Sequence, residues 1–259
     1  MVKPFTVSSL NKIFRFLFSI YGFLVFVLLM FLLLPFFLYS FLFDEIKGGN
    51  ILYKICRFWG DAFFFATGIS HRNIYEEEHD RSKQYIFVSN HISYLDIPMM
   101  MKAIRGQHVR ILGKSEMTRV PIFGSIYKKG AVLVDRENAG KRLQSIKNLI
   151  YFLNKKISVF ICPEGTFNMT NQPLKNFYDG AFKIALQTQT PIKPILFLDT
   201  YDRLNYKSIF SLNPGRCRAV YLSETSTKGL TTNDVALLKD KIFLQMEEGL
   251  KRYGASWVK

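Results

Sequence analysis

The pattern of apolar and polar positions divides the chain near Ser70. Before it the residues are overwhelmingly apolar, and after it short apolar runs alternate with stretches of helical period. Phe16–Phe43 carries no charge and exceeds the ~20 residues that a helix needs to cross a bilayer. It is too long for a simple signal peptide and lacks the cleavage-site chemistry, and Pro35 inside it predicts a kink or a break. Gly48-Gly49-Asn50 reads as a turn. The following segment, Ile51–Ile69, is amphipathic: Lys54, Arg57 and Asp61 share one helical face, while aromatic residues such as Trp59, Phe63 and Phe64 cover much of the rest. Lys3, Lys12 and Arg15 precede the first segment and Lys47, Lys54 and Arg57 follow it, so charge gives no clear orientation. Two arrangements stay open, a helical hairpin dipping into one leaflet with both ends cytosolic and a single tilted span.

Beyond Ser70, the runs Tyr85–Val88, Val109–Leu112, Ala131–Val134, Ser158–Cys162, Ile195–Leu198 and Ala219–Leu222 predict buried strands. Lys141–Leu153 places Leu143, Ile146, Leu149, Ile150 and Leu153 at helical spacing, and Thr231 with Asp234 marks a capping box before a last helix starting near Thr232. Such alternation predicts an α/β fold, a mixed and largely parallel sheet flanked by helices and preceded by an N-terminal membrane-embedded helical hairpin. The expected division is residues 1–69 for the membrane-binding helices and 70–259 for the α/β domain.

Composition sharpens the picture. Of 259 residues, 49% are hydrophobic, with 25 Phe and 13 Tyr, yet the formal net charge is +15. A chain both greasy and basic suits anionic lipid, where apolar burial and lysine attraction add. The chain has no zinc-finger spacing, no RNA-binding signature and no arginine-rich tail, so no nucleic-acid partner is expected. Cys56, Cys162 and Cys217 lack CxxC spacing, which points to neither a disulfide framework nor a zinc site. A cytosol-facing position on a membrane follows, on the inner membrane if the cell is bacterial.

The chemistry centres on Val88-Ser89-Asn90-His91-Ile92-Ser93-Tyr94-Leu95-Asp96. His91 sits where a predicted strand ends, at the edge of an α/β sheet where ligands bind. Along a continuous helix the two side chains would stand about 140° apart, so His91 and Asp96 meet only if the backbone turns between them. A strand-to-helix corner provides that turn, and a carboxylate on one ring nitrogen would fix the tautomer and leave the other to act as a base. Further clusters lie near other strand ends: Lys114-Ser115-Glu116, Gly130 through Arg136, Pro163-Glu164-Gly165-Thr166, and the proline-bracketed turn Thr190-Pro191-Ile192-Lys193-Pro194.

Taken in order, these blocks make Ser70–Leu250 resemble the glycerolipid acyltransferase family, most closely those acting on 1-acyl-sn-glycerol-3-phosphate. The resemblance rests on His91 through Asp96, Gly130–Arg136, Pro163–Thr166 and Pro191–Pro194. It implies a membrane-associated O-acyltransferase of phospholipid biosynthesis that moves a fatty acyl group from acyl-CoA or acyl-ACP to a lysolipid hydroxyl, giving phosphatidic acid. His91 would be the general base and Asp96 its orienting carboxylate. Arg136, Glu164, Gly165 and Thr166 would bind the acceptor, with Lys114 as a second phosphate contact, while Pro191, Ile192 and Pro194 would shape the site or the acyl path. No cofactor is implied beyond the acyl thioester co-substrate, and the sequence shows no metal-ligand set. Ser93, Ser115 and Cys162 rank below direct transfer as nucleophiles, because a thioester is already activated.

One position departs from the family pattern, where an arginine usually follows the Glu-Gly-Thr turn and Phe167 stands here. Either Lys114 and Arg136 carry more of the phosphate binding, or the acceptor is another lysolipid such as a lyso-aminolipid. A lipid or thioester hydrolase using the same pair to activate water is the remaining enzymatic alternative.

Overall fold

The computed structural model describes residues 7–135, 139–170 and 172–258. In chain order the elements are α1 (Val7–Ser40), α2 (Glu45–Ala66), β1 (Ile69–Tyr75), β2 (Ile86–Ser89), α3 (Asp96–Ala103), β3 (Val109–Lys114), α4 (Phe123–Gly130), β4 (Ala131–Val134), α5 (Ala139–Asn154), β5 (Ser158–Ile161), α6 (Gly180–Thr188), β6 (Ile192–Phe197), α7 (Thr200–Arg203), β7 (Gly215–Tyr221) and α8 (Val235–Arg252). The strands form one 7-stranded sheet in the order β1-β7-β6-β2-β5-β3-β4, parallel throughout except between β6 and β7. The carboxyl ends of β2, β3, β4, β5 and β6 therefore share one edge.

Continuous apolar strands bury both faces of this sheet, as parallel sheets do. Ile86 and Val88 of β2 and Val159 and Ile161 of β5 pack with Leu149, Phe182, Ile242 and Met246 from α5, α6 and α8. The intervening Phe87 and Phe160 point the other way, into a cluster with Tyr53, Phe63 and Phe64 of α2 and Met99 and Met100 of α3. The second N-terminal helix is thus a covering layer of the sheet. Asp61 on its polar face pairs with Lys102 and Arg105 at the end of α3, which fixes the rotation of α2.

α1 and α2 run antiparallel, with Tyr21 Oη donating to the Ala66 carbonyl at 2.9 Å, Phe26 edge-on to Trp59, and Leu33 and Phe37 packed with Leu52. Among the described residues, Asn11–Ser40 is the one helical stretch long and apolar enough to cross a membrane. Pro35 does not interrupt α1. It faces outward, and the packed Leu33 and Phe37 hold the backbone on either side of it.

The turn expected at Gly48-Gly49-Asn50 lies at Phe41–Asp44 instead, where Asp44 caps α2 by accepting from Lys47 N at 2.8 Å. The glycines serve close approach within α2. A Cβ on Gly48 would collide with the Ser40 carbonyl, and one on Gly49 with the buried Arg110 guanidinium, which donates to the Ile46 carbonyl at 3.1 Å and lies over the Phe152 ring.

Three more expectations change. Ile69 opens β1, an edge strand whose polar Ser70, His71, Arg72 and Asn73 hide its period, and is not the end of a helix. Pro191–Pro194 is not a turn: Ile192 through Pro194 are the start of β6. Pro194 is tolerated because its carbonyl accepts from Leu222 N at 3.0 Å on the β7 side, where regular pairing starts only at Ile195. The last helix begins at Val235, after a 3₁₀ turn at Thr232–Asp234 that carries the capping box formed by Thr231 and Asp234.

Candidate active site

The site forms where β2 ends. Asn90 extends the β2–β6 pairing with its side chain, donating to the Phe197 carbonyl at 3.0 Å and accepting from Phe197 N at 2.9 Å. The chain then turns sharply, and Asp96 opens α3 pointing back into the turn. Its Oδ2 accepts from Ile92 N at 2.7 Å, Ser93 N at 2.8 Å and His91 Nδ1 at 2.9 Å, while Oδ1 accepts from Thr200 Oγ1 at 2.7 Å. The carboxylate is 0% exposed and fully satisfied. With Asp96 Oδ2 as its acceptor, Nδ1 carries the proton and leaves Nε2 as the basic nitrogen, on a side chain 21% exposed.

The loop after β5 locks the histidine from the other side. Glu164, 0% exposed, accepts from His91 N with Oε1 and from Lys175 N with Oε2, each at 2.8 Å, and Asn168 N donates to the His91 carbonyl at 2.7 Å. Burial pushes the Glu164 carboxyl up to about 8, with Asp96 adding to the rise against the two backbone donors and Lys175. Gly165 has φ +75°, a conformation that glycine adopts without strain. Thr166 Oγ1 accepts from Lys175 Nζ at 2.8 Å. Phe167 lays its ring against the imidazole, centroids 4.4 Å apart, with Tyr94 edge-on to it and Tyr206 stacked beyond.

Placement separates the candidate residues. His91, Asp96, Glu164, Gly165 and Thr166 come together, and Lys114 ends β3 on the same sheet edge with its side chain exposed. Arg136 lies outside the described residues. Glu164 does not present a free carboxylate to an acceptor: both of its oxygens are engaged with backbone amides in a buried position, so it organises the loops bearing His91 and Lys175. Pro191, Ile192 and Pro194 lie at the amino end of β6, the strand beside β2. Ile192 pairs in register with Ile86, about 16 Å of strand from His91 at the usual rise per residue, and its side chain lies in the core. Pro194 comes nearer, in register with Val88, three residues before His91.

Ser93 is no nucleophile in this geometry, since its buried hydroxyl is shared between the carbonyls of Thr200 at 2.9 Å and Leu204 at 2.5 Å. Sequence reasoning missed Thr200, Asn168 and Lys175. Thr200 lies 104 positions from Asp96, and no local pattern announces the contact.

Residues 71–198 match the family model described as Acyltransferase. Just under half of the chain is thus similar to an acyltransferase-family domain. The chain is 33% identical over 163 residues to the mouse protein 1-acyl-sn-glycerol-3-phosphate acyltransferase alpha, covering 62% of this chain and 56% of that protein. The chain thus spans little more than half the length of that relative. It is 26% identical over 186 residues to the Haemophilus influenzae 1-acyl-sn-glycerol-3-phosphate acyltransferase, covering 71% of this chain and 75% of the other. The fold of the acyltransferase domain and its helical hairpin is shared with the crystal structure of the 1-acyl-sn-glycerophosphate (LPA) acyltransferase PlsC from Thermotoga maritima, with a TM-score of 0.75, 20% identity, and coverage of 96% of this chain and 99% of that one.

Proposed function

We propose that the chain transfers a fatty acyl group from acyl-CoA or acyl-ACP to the sn-2 hydroxyl of 1-acyl-sn-glycerol-3-phosphate, giving phosphatidic acid. The observation that carries this reading is the His91–Asp96 pair, a solvent-reaching imidazole braced by a buried, fully hydrogen-bonded carboxylate. The names of the relatives point to the same acceptor.

In this mechanism Nε2 of His91 takes the hydroxyl proton as the oxygen attacks the thioester carbonyl. The tetrahedral intermediate collapses with loss of the thiolate, and the imidazolium returns the proton to sulfur. Asp96 stabilises the imidazolium between these steps. General-base assistance of this kind accelerates a reaction by about 10²–10⁴-fold.

The reaction takes place at a membrane surface on the cytoplasmic side. α1 exposes Phe23, Leu24, Leu28, Phe31 and Leu32, a face suited to lipid, and the formal charge of +15 favours an anionic leaflet. The hairpin form, with α2 packed against the sheet, favours embedding in one leaflet over a single tilted span. One observation favours a second acceptor: the apolar Phe167 ring beside His91 suits a lysolipid without a phosphomonoester there, such as a lyso-aminolipid.

The test supplies purified full chain in lipid vesicles with a radiolabelled long-chain acyl thioester and, separately, lysophosphatidic acid or a lyso-aminolipid, with His91→Ala alongside. Label entering phosphatidic acid and lost in the variant supports the proposal. Label entering only the other lipid replaces the acceptor, and free fatty acid released without an acceptor identifies a hydrolase.

A further inference from the structure

We propose that Lys175 is the residue that receives the phosphomonoester of the acceptor, an inference that rests on the lysophosphatidate reading above. Its main chain is tied to that of the base. One buried carboxylate, Glu164, fixes the main chain of both residues, holding His91 N on one oxygen and Lys175 N on the other. The ammonium is then aimed by Thr166, whose Oγ1 accepts one of its protons at 2.8 Å. An ammonium has three donors and no acceptor, so two N–H groups stay available to a ligand.

This lysine has no paired carboxylate, a feature it shares with half-buried Lys129, whose ammonium donates to the Phe43 carbonyl. Lys102, Lys193 and Lys239 are also drawn into the body of the protein, and each has a carboxylate partner in Asp61, Glu77 or Asp179. Among the described residues, Lys175 Nζ has no carboxylate within ion-pair distance and donates only to a neutral hydroxyl. Glu164 does not fill that role, because its oxygens face backbone amides and burial keeps it largely protonated at neutral pH. A half-buried cation with two unused donors, next to a hydroxyl of the loop that braces the base, is complementary to an oxyanion with several acceptor oxygens. Lys114 reinforces this at the end of β3, the strand beside β5.

The same chemistry could come from the phosphates of an acyl-CoA donor, so the experiment measures both substrates. Steady-state kinetics on the full chain in vesicles compare wild type, Lys175→Met and Lys175→Arg with lysophosphatidic acid and with 1-acylglycerol, which lacks the phosphate. In Lys175→Met the KM for lysophosphatidic acid should rise about tenfold or more, as expected for loss of charged hydrogen bonds, with kcat nearly kept. Preference for lysophosphatidic acid over 1-acylglycerol should fall by the same factor, the KM for acyl-CoA should not move, and Lys175→Arg should recover most of the loss.

An unchanged KM for lysophosphatidic acid, in an enzyme that acylates it, overturns the role of Lys175 and leaves the proposed reaction standing. A rise confined to acyl-CoA moves the contact to the donor and overturns it equally. A fall in kcat on both acceptors, not rescued by arginine, shows a structural lysine. Wild type that ignores lysophosphatidic acid overturns the proposed reaction, and this assignment with it.

Discussion

The ring of Phe167 lies against the imidazole of His91, centroids 4.4 Å apart and planes inclined by 52°. The contact covers part of the histidine that Asp96 holds by Nδ1, and Tyr94 and Tyr206 back the phenyl ring in turn. An apolar wall thus stands beside the base. Phe167→Arg removes this wall and adds a cation. The expected outcome is a several-fold lower KM for lysophosphatidic acid with a kcat about tenfold lower, as the imidazole loses its packed orientation, a scale set by the sensitivity of rate to small misplacements. Initial rates over a range of acceptor concentrations separate the two effects; an unchanged KM would argue that no phosphate contact is missing at this position.

Thr200 supplies the donor to Asp96 Oδ1, in a position where water does not reach either group. Thr200→Val is close in shape and deletes that donor, leaving a buried carboxylate oxygen unpaired at a cost of about 1–3 kcal/mol. Part of this cost falls on stability and part on the geometry of His91. A kcat reduction of roughly tenfold is expected, with Thr200→Ser close to wild type. Equal kcat in the valine variant would show that the second oxygen of Asp96 does not support the base.

The positions of the sheet strands were largely legible because Tyr85–Val88, Ala131–Val134 and Ser158–Cys162 are short, unbroken apolar runs, and both faces of a parallel sheet are buried. Edge strand β1 was not, since its polar residues cover only one neighbour and obey no apolar period. Gly48-Gly49 misled for a different reason. Glycine signals a turn and a close approach with the same letter, and only the position of Arg110, distant in sequence, tells them apart. At the site, the local pair His91–Asp96 could be read from spacing, but the contacts of Thr200 and Lys175 depend on how loops after β6 and β5 fold back. The role of Glu164 was obscured likewise, because a carboxylate bound to backbone amides looks, in sequence, like one ready to bind substrate.

Glu164 also gives the protein a pH dependence. Its carboxyl is raised by burial from about 4.5 to about 8, so between those values the folded state holds a proton that the unfolded state has released. For this group the stabilising contribution is full below about 4.5 and is lost as pH rises through about 8. Melting temperatures of wild type should therefore show a downward component between about pH 4.5 and about pH 8 that is missing in Glu164→Gln. The glutamine amide cannot accept both backbone N–H groups, so the variant should also be about 1–3 kcal/mol less stable at neutral pH. Parallel wild-type and variant curves over that range would refute the raised carboxyl.

Gly49 and Arg110 test how the hairpin docks. Gly49→Ala forces a methyl group into the guanidinium of a fully buried arginine, a form of overpacking that costs about 1–3 kcal/mol. Arg110→Met, with a slimmer side chain, should be less affected by the added methyl. In a double-mutant cycle followed by chemical denaturation, the two substitutions together should cost less than the sum of each alone. Strict additivity would mean that Gly49 is needed for some other reason.

The outward face of α1 decides how the protein meets a bilayer. Leu24, Leu28 and Leu32 are exposed and follow one another at helical spacing, whereas Leu33 and Phe37 turn toward α2 and Leu52. Replacing the three exposed leucines with glutamine should leave the hairpin packing and the His91 loop untouched. Each substitution removes about 1–2 kcal/mol of apolar transfer energy, given side chains that are only partly covered before binding. Sedimentation with anionic vesicles should then show partitioning reduced by more than about 100-fold, and added salt should weaken the residual binding through the basic surface. Activity on vesicle-borne acceptor should fall with the bound fraction, and on acceptor dispersed in detergent it should stay near wild type. A triple variant that still pellets fully with vesicles would show that this face of α1 is not the membrane contact.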